Sequence, residues 1–321
     1  MTRAGLFTRF QCAWNEFFFA AFDLELAAVM RIAYAAVLLV NFTILGLDLE
    51  LWFGPDDLMP FEASRAIIDP DTSSPFGWLP QSKAVLWVCY GLAMMNITGL
   101  LVGWFPRLQA AGAFFWMVAF HHRNIMIFDG EDQLFRLFAF FFVFLPTHHF
   151  FSVHAWLRRR RNEDRQQTFG CAWAFRLFQV ETTLVYVGAA VAKWQGIEWR
   201  SGIAMWYVSR VDDTFGKYPL PDALFESLAM IRGLTWTTLV FEAVLPIALW
   251  IPRTRRIAVV AAFVFHLALE YTMNLFLFHM LMIVGLIPFL ATDRQVIAWR
   301  ARSKDSANGN ARTRLTSETL S

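Results

Sequence analysis

Stretches of about 20 mostly apolar residues recur along this chain, and a run of that length can cross the hydrocarbon of a bilayer as a helix. The first runs from Leu24 to Leu47. Others cover approximately Ala84–Phe105, Leu108–Phe128, Gln133–Phe151, Phe175–Gln195 and Leu234–Ile251. Residues 257–291 are too long for one span and short for two, with Glu270 and Asn274 interrupting them midway. They read as two short helices with a turn near Asn274, or as one long tilted helix. The sum is an all-α fold: a polytopic transmembrane helix bundle of about eight spans.

Composition tells against a water-soluble enzyme. The chain is 57% hydrophobic and only 17% charged, where an average soluble domain carries roughly a quarter charged residues. A net charge of +2 gives no electrostatic support for a nucleic-acid partner. The three cysteines, Cys12, Cys89 and Cys171, form no CxxC pair, which disfavours a dithiol oxidoreductase. No cleavable leader is visible, so the first span is expected to act as its own anchor.

The arrangement within the membrane follows from the basic segments. Arg158–Arg161, the group Arg253, Arg255 and Arg256, and the tail from Arg294 to Arg314 fall on one side if the N-terminus is cytoplasmic. An inner bacterial membrane with both termini cytoplasmic is the expectation. Phe7, Phe10, Trp14, Phe17, Phe18 and Phe22 recur at helical spacing. They predict an interfacial helix within a cytoplasmic segment 1–23. The bundle then occupies 24–291, and a basic, disordered tail occupies 292–321.

Ionisable residues inside spans are costly and need a reason. At 1.5 Å per residue, His121, His122, Arg123, Asp132, Arg136 and Lys193 reach a similar depth. One polar cavity on the outer side accounts for all of them. Asp132 and Arg136 are four apart and can pair on one helix face. Asp129 can cap the fourth span. Pro246 cannot donate to the carbonyl of Glu242, which predicts a kink beside a carboxylate. Lys193 reads as a desolvated amine able to act as a general base, or as a chain that snorkels to the interface. His266 reads as a hydrogen-bonded core histidine or a ligand-facing one, and His279 as snorkelling. Adjacent histidines point about 100° apart on a helix, so neither His121–His122 nor His148–His149 makes an ordinary metal chelate.

The segment Tyr186-Val-Gly-Ala-Ala-Val-Ala-Lys193-Trp-Gln-Gly196-Ile-Glu-Trp199-Arg-Ser-Gly202 resembles the Tyr…Lys-x-x-Gly-x-x-Trp-x-x-Gly signature of the horizontally transferred transmembrane (HTTM) family. Arg31 in the first span, Trp52-Phe53-Gly54 with Leu58-Met59-Pro60, His122-Arg123-Asn124, Asp129 to Asp132 with Arg136, Glu242 with Pro246, and Phe265-His266 fit the same pattern. That family includes the membrane part of vitamin K-dependent γ-glutamyl carboxylase. The resemblance implies that Lys193 sits beside a quinol and takes its proton. It extends over residues 10–292, with Glu131 near the place of the carboxylase's second functional histidine.

Three functions stay open. One is an enzyme or redox partner handling a quinone or similar lipid-soluble ligand, with Trp194, Trp199, Trp206 and Tyr207 walling a flat ring. Its site would comprise Lys193 as base and His122, Arg123, Asp132, Arg136, Trp199, Glu242 and His266 as ligand-binding groups, with no metal. The second is a non-catalytic membrane partner or anchor for another protein. The third is a transporter, against which no inverted repeat is visible.

Overall fold

The computed structural model describes residues 3–55, 58, 60, 63–64, 74–127, 129–161, 169–211, 215–218, 221, 223–275 and 277–291. The tail expected over 292–321 lies outside them, as does the middle of the long polar loop before residue 74.

The chain opens with helix α1 (Arg3–Phe19) and a short strand β1 (Ala21–Asp23). Asp23 then caps α2 (Leu24–Leu47), its carboxylate accepting from the Glu25 amide. A single turn, α3 (Leu49–Phe53), leads into the polar loop. Ser82 caps α4 (Lys83–Val102), which ends on Gly103 in the left-handed conformation. Pro106 starts α5 (Pro106–Arg123) at the position where a missing N–H costs nothing. Asp129 and Asp132 form a reciprocal capping box on α6 (Gly130–Phe144). Basic α7 (Val153–Arg160) follows, then β2 (Phe169–Cys171), antiparallel to β1. The second half comprises α8 (Trp173–Gln195), short turns α9 (Ile197–Ser201), α10 (Ala204–Val208) and α11 (Ala223–Glu226), then α12 (Leu228–Trp250), α13 (Arg255–Thr272) and α14 (Phe278–Leu286). A 3-10 turn, Ile287–Leu290, prolongs α14. Residues 257–291 are thus two helices, parted around Asn274.

By length and apolarity alone, three helices among the described residues can cross a membrane: α2, α4 and α12. The core between helices is largely aromatic. Tyr34, Phe135, Phe138, Phe142 and Phe178 are fully buried, and the Tyr34 hydroxyl donates to the Phe135 carbonyl at 2.7 Å.

Two ends of the bundle are tied separately. At one end Arg31 donates to the carbonyls of Leu100, Leu101 and Phe151, so it is a structural donor inside the fold. The β1–β2 pair and an Arg176 Nε bond to the Phe17 carbonyl (3.0 Å) lie at the same end. At the other end Arg123 donates to Gly54 (3.1 Å) and Asn124 to Trp52 (3.0 Å). There Lys83 and Trp87 bond Glu50, and these two donors hold the Glu50 carboxyl below its usual range. Phe10, Trp14 and Phe18 pack in series along α1 with tilted rings, and Phe17 meets Trp250 at 5.5 Å.

Candidate functional site

Lys193 stands in the last turn of α8, where the helix dipole favours a cation. Its Nζ lies 2.6 Å from a carboxylate oxygen of Glu242 on α12, with 23% and 8% of the two side chains exposed. A charge so poorly hydrated requires a partner, and each of these supplies the other's. Helix α12 runs from Leu228 to Trp250 with Pro246 inside it, four residues beyond Glu242. The ring of Trp199, on α9, has its centroid 5.3 Å from Nζ and offers its electron-rich face.

Tyr186 is seven residues before Lys193, two turns along the same side of α8. Its hydroxyl is 2.6 Å from Nε2 of His266 on α13. The other nitrogen of that ring, Nδ1, is 3.2 Å from Nδ1 of His279 on α14. Glu242 is close enough to act electrostatically on Tyr186. The result is a polar seam of two contact groups, Lys193–Glu242 and Tyr186–His266–His279, between α8, α12, α13 and α14.

The remaining expected residues gather elsewhere. Asp132 faces Nε2 of His121 at 3.8 Å and accepts from the Asp129 amide at 3.2 Å. Among the described residues it makes no ion pair with Arg136, contrary to the spacing argument. Commitment to the capping box turns its carboxylate back toward the helix start, away from the residue four positions on. Arg136 still acts electrostatically on Asp132 and His121. Arg123 is buried against the Gly54 carbonyl, and His122 is half-buried beside it. The single cavity expected from depth alone is therefore two polar groups. They adjoin at the first turn of α14, where the Glu131 carboxyl lies against the backbone of Leu277 and Phe278 and His279 follows one residue later.

Of the four aromatics expected to wall a ring, Trp199 alone is placed against Lys193. Trp194, Trp206 and Tyr207 are exposed. Trp194 follows Lys193 directly and so points about 100° away. His279 is not a snorkelling side chain but is 1% exposed, held by His266. Reading it correctly required knowing that α14 starts at Phe278, inside the fold. Glu131 and the Lys217–Glu270 pair were likewise hidden, since their partners lie on segments distant in sequence. Among the described residues no three His, Cys, Asp or Glu side chains are arranged to hold a metal ion.

An apolar groove of about 670 Å³ lies between α12 and α13, lined by Trp236, Val240, Phe241, Val244, Ile257 and Ala261 among others. It does not include Lys193 or Glu242. Trp236 at its rim donates to the Arg200 carbonyl on α9, the short helix that also carries Trp199.

Comparison with known proteins adds a relative. Over 212 residues the chain is 24% identical to sporulation-delaying protein SdpB of Bacillus subtilis (strain 168), which is 64% of this chain and 64% of the relative. The aligned region is thus somewhat less than two thirds of the relative's length. No solved structure matches. The pattern that defines the HTTM domain matches residues 71–293, well over half the sequence. Together with the apolar helices, that match makes this an integral membrane protein, and the chain belongs to the HTTM-domain family.

Proposed function

We propose that the seam around Lys193 binds a lipid-soluble ligand with a hydrogen-bonding ring, of the quinone class, in a bacterial inner membrane with both termini cytoplasmic. The observation that carries this reading is the 2.6 Å Lys193–Glu242 pair set beside Trp199 at a helix end. A quinone oxygen needs a donor and a quinol hydroxyl needs an acceptor. The pair offers both, from side chains with little water around them. If the shared proton moves from Lys193 to Glu242, Lys193 becomes a neutral amine, able to take a proton from a quinol hydroxyl. Trp199 supplies a flat face for a ring. The apolar groove reached past Trp236 suits an isoprenoid or acyl tail, because its lining is almost wholly hydrocarbon. His122, Arg123, Asp132 and Arg136 would act from the adjoining polar group.

The test is quinone binding to the purified full chain and to Lys193→Ala. Loss of a charge-assisted hydrogen bond is expected to weaken binding by about tenfold or more. Equal affinity in both proteins, or none in either, removes this reading. It would leave Lys193–Glu242 as a structural tie in a membrane partner or anchor protein.

A further inference from the structure

The Tyr186–His266–His279 contacts fix one another's protons. If the tyrosine hydroxyl donates to His266 Nε2, a neutral His266 must carry its proton on Nδ1. That N–H then donates to His279 Nδ1, 3.2 Å away, and a neutral His279 must carry its own proton on Nε2. Among the described residues this last atom is buried with no hydrogen-bond partner, and so is Oε2 of Glu270. Glu270 and Lys217 are the two charges that act electrostatically on His279 beyond its own ring pair. Glu270 is itself paired with Lys217, at the edge of the protein where Gly216 bonds the Thr272 carbonyl. The row thus ends in a buried donor, with a buried acceptor on a neighbouring charged side chain; neither has a hydrogen-bond partner among the described residues, so a shift of either side chain is what would join them. The opposite set of tautomers is equally self-consistent, with every proton moved one place along.

We propose that Tyr186, His266 and His279 form a proton wire that joins the Lys193–Glu242 pair to Glu270 at the rim. This rests on Lys193–Glu242 being the working site. Glu242, having taken the Lys193 proton, passes it to the Tyr186 oxygen. Tyr186 gives its own proton to His266 Nε2, His266 Nδ1–H passes to His279 Nδ1, and His279 Nε2–H leaves to Glu270. One proton enters and one leaves. Both rings end neutral in the opposite tautomer, Lys193 ends as the free amine, and Glu270 ends protonated. The base form of Lys193 is thereby produced, and the Glu242 carboxylate left beside it regains its partner when that amine takes a proton from a quinol hydroxyl.

The experiment is NMR of the full chain in lipid nanodiscs with 15N-labelled histidine, reading ring tautomers and the solvent exchange of the N–H shared by His266 and His279. The expected result is two neutral rings whose tautomers interlock. In Glu270→Gln that N–H should exchange more slowly by about tenfold or more, as for loss of a positioned proton acceptor. Lys217→Ala breaks the same ion pair but keeps the acceptor, so exchange there should stay near the parent rate. An unchanged rate in Glu270→Gln, an equal slowing in Lys217→Ala, or a ring found doubly protonated would overturn the wire. The readout needs no quinone. Failed quinone binding with intact exchange therefore sinks the functional reading alone, and the converse sinks the wire alone.

Discussion

Lys193 and Glu242 illustrate how far a single side chain can be read. Each is visible in sequence as an ionisable group inside an apolar run, and such a group calls for a partner. What the sequence does not carry is that they are each other's partner. They stand 49 positions apart on different helices, and no helical period connects them. The resemblance around Lys193 marks the lysine but not its counter-ion. The same limit hid His266–His279, whose contact depends on where α13 stops and α14 begins. The energetic consequence of the pair is measurable. Removing one partner leaves a poorly hydrated charge unpaired, whereas removing both leaves none. Lys193→Met and Glu242→Gln are each expected to destabilise the protein, and the double variant by less than their sum. The coupling should be about 1–3 kcal/mol for directly contacting groups. Thermal unfolding of the four proteins in one detergent measures it, and strict additivity would show that the two side chains do not act as a pair.

At the scale of elements, caps and breakers set the boundaries, and of these Asp129 is legible in the sequence as a cap. Asp23, Ser82, Pro106 and Asp129 open α2, α4, α5 and α6 as their side chains or ring dictate. The two largest displacements have physical reasons. Helix α6 ends at Phe144, short of the expected Phe151, because Leu145 precedes Pro146 and is steered out of helical backbone. Helix α12 begins at Leu228, earlier than Leu234, because Arg232 and Gly233 interrupt the apolar signal but not the helix. Gly103 shows an element end fixed by backbone alone. Its φ is +72°, and a Cβ there would lie 2.5 Å from the Ser152 Cβ and 2.8 Å from Arg31 Nη1. Gly103→Ala therefore combines a left-handed penalty with overpacking against the Arg31 tie. It is expected to cost at least about 2 kcal/mol. Gly91→Ala, on the same helix with nothing within 4 Å of the added methyl, is the control and should be neutral or slightly stabilising. Equal melting temperatures for the two variants would show that the Gly103 turn does not hold the α4 terminus.

Across the whole molecule, the order of the ties gives the path of the chain. Starting from the Arg31 end, the chain alternates between the two ends through α2, α4, α5, α6, α8, α12, α13 and α14, which returns residue 291 to the starting end. The apolar runs carried this alternation, since each reversal is a polar or proline-containing turn. What they did not carry is how unequal the passes are. Helix α14 with its 3-10 turn is 13 residues long, about 20 Å, against a hydrocarbon thickness of about 30 Å. Its start consequently lies inside the fold, where amides without water need protein acceptors. The buried Glu131 carboxyl on α6 lies against the backbone of Leu277 and Phe278, and the Phe278 amide donates to the Leu275 carbonyl. The proposed even number of membrane passes makes a strong demand on topology. In a chain with Cys89 and Cys171 replaced by serine, Cys12 on α1 and an introduced Arg159→Cys must react with an impermeant maleimide from the same side. Trp78→Cys, exposed at the opposite end, must react from the other side. If the basic segments set orientation, intact spheroplasts should label only the last of these, and Cys12 and Arg159→Cys only after lysis. Labelling of Cys12 and Trp78→Cys from one side would mean that α2 does not traverse the bilayer, and the polar seam around Lys193 would then lose the membrane depth on which its desolvation depends.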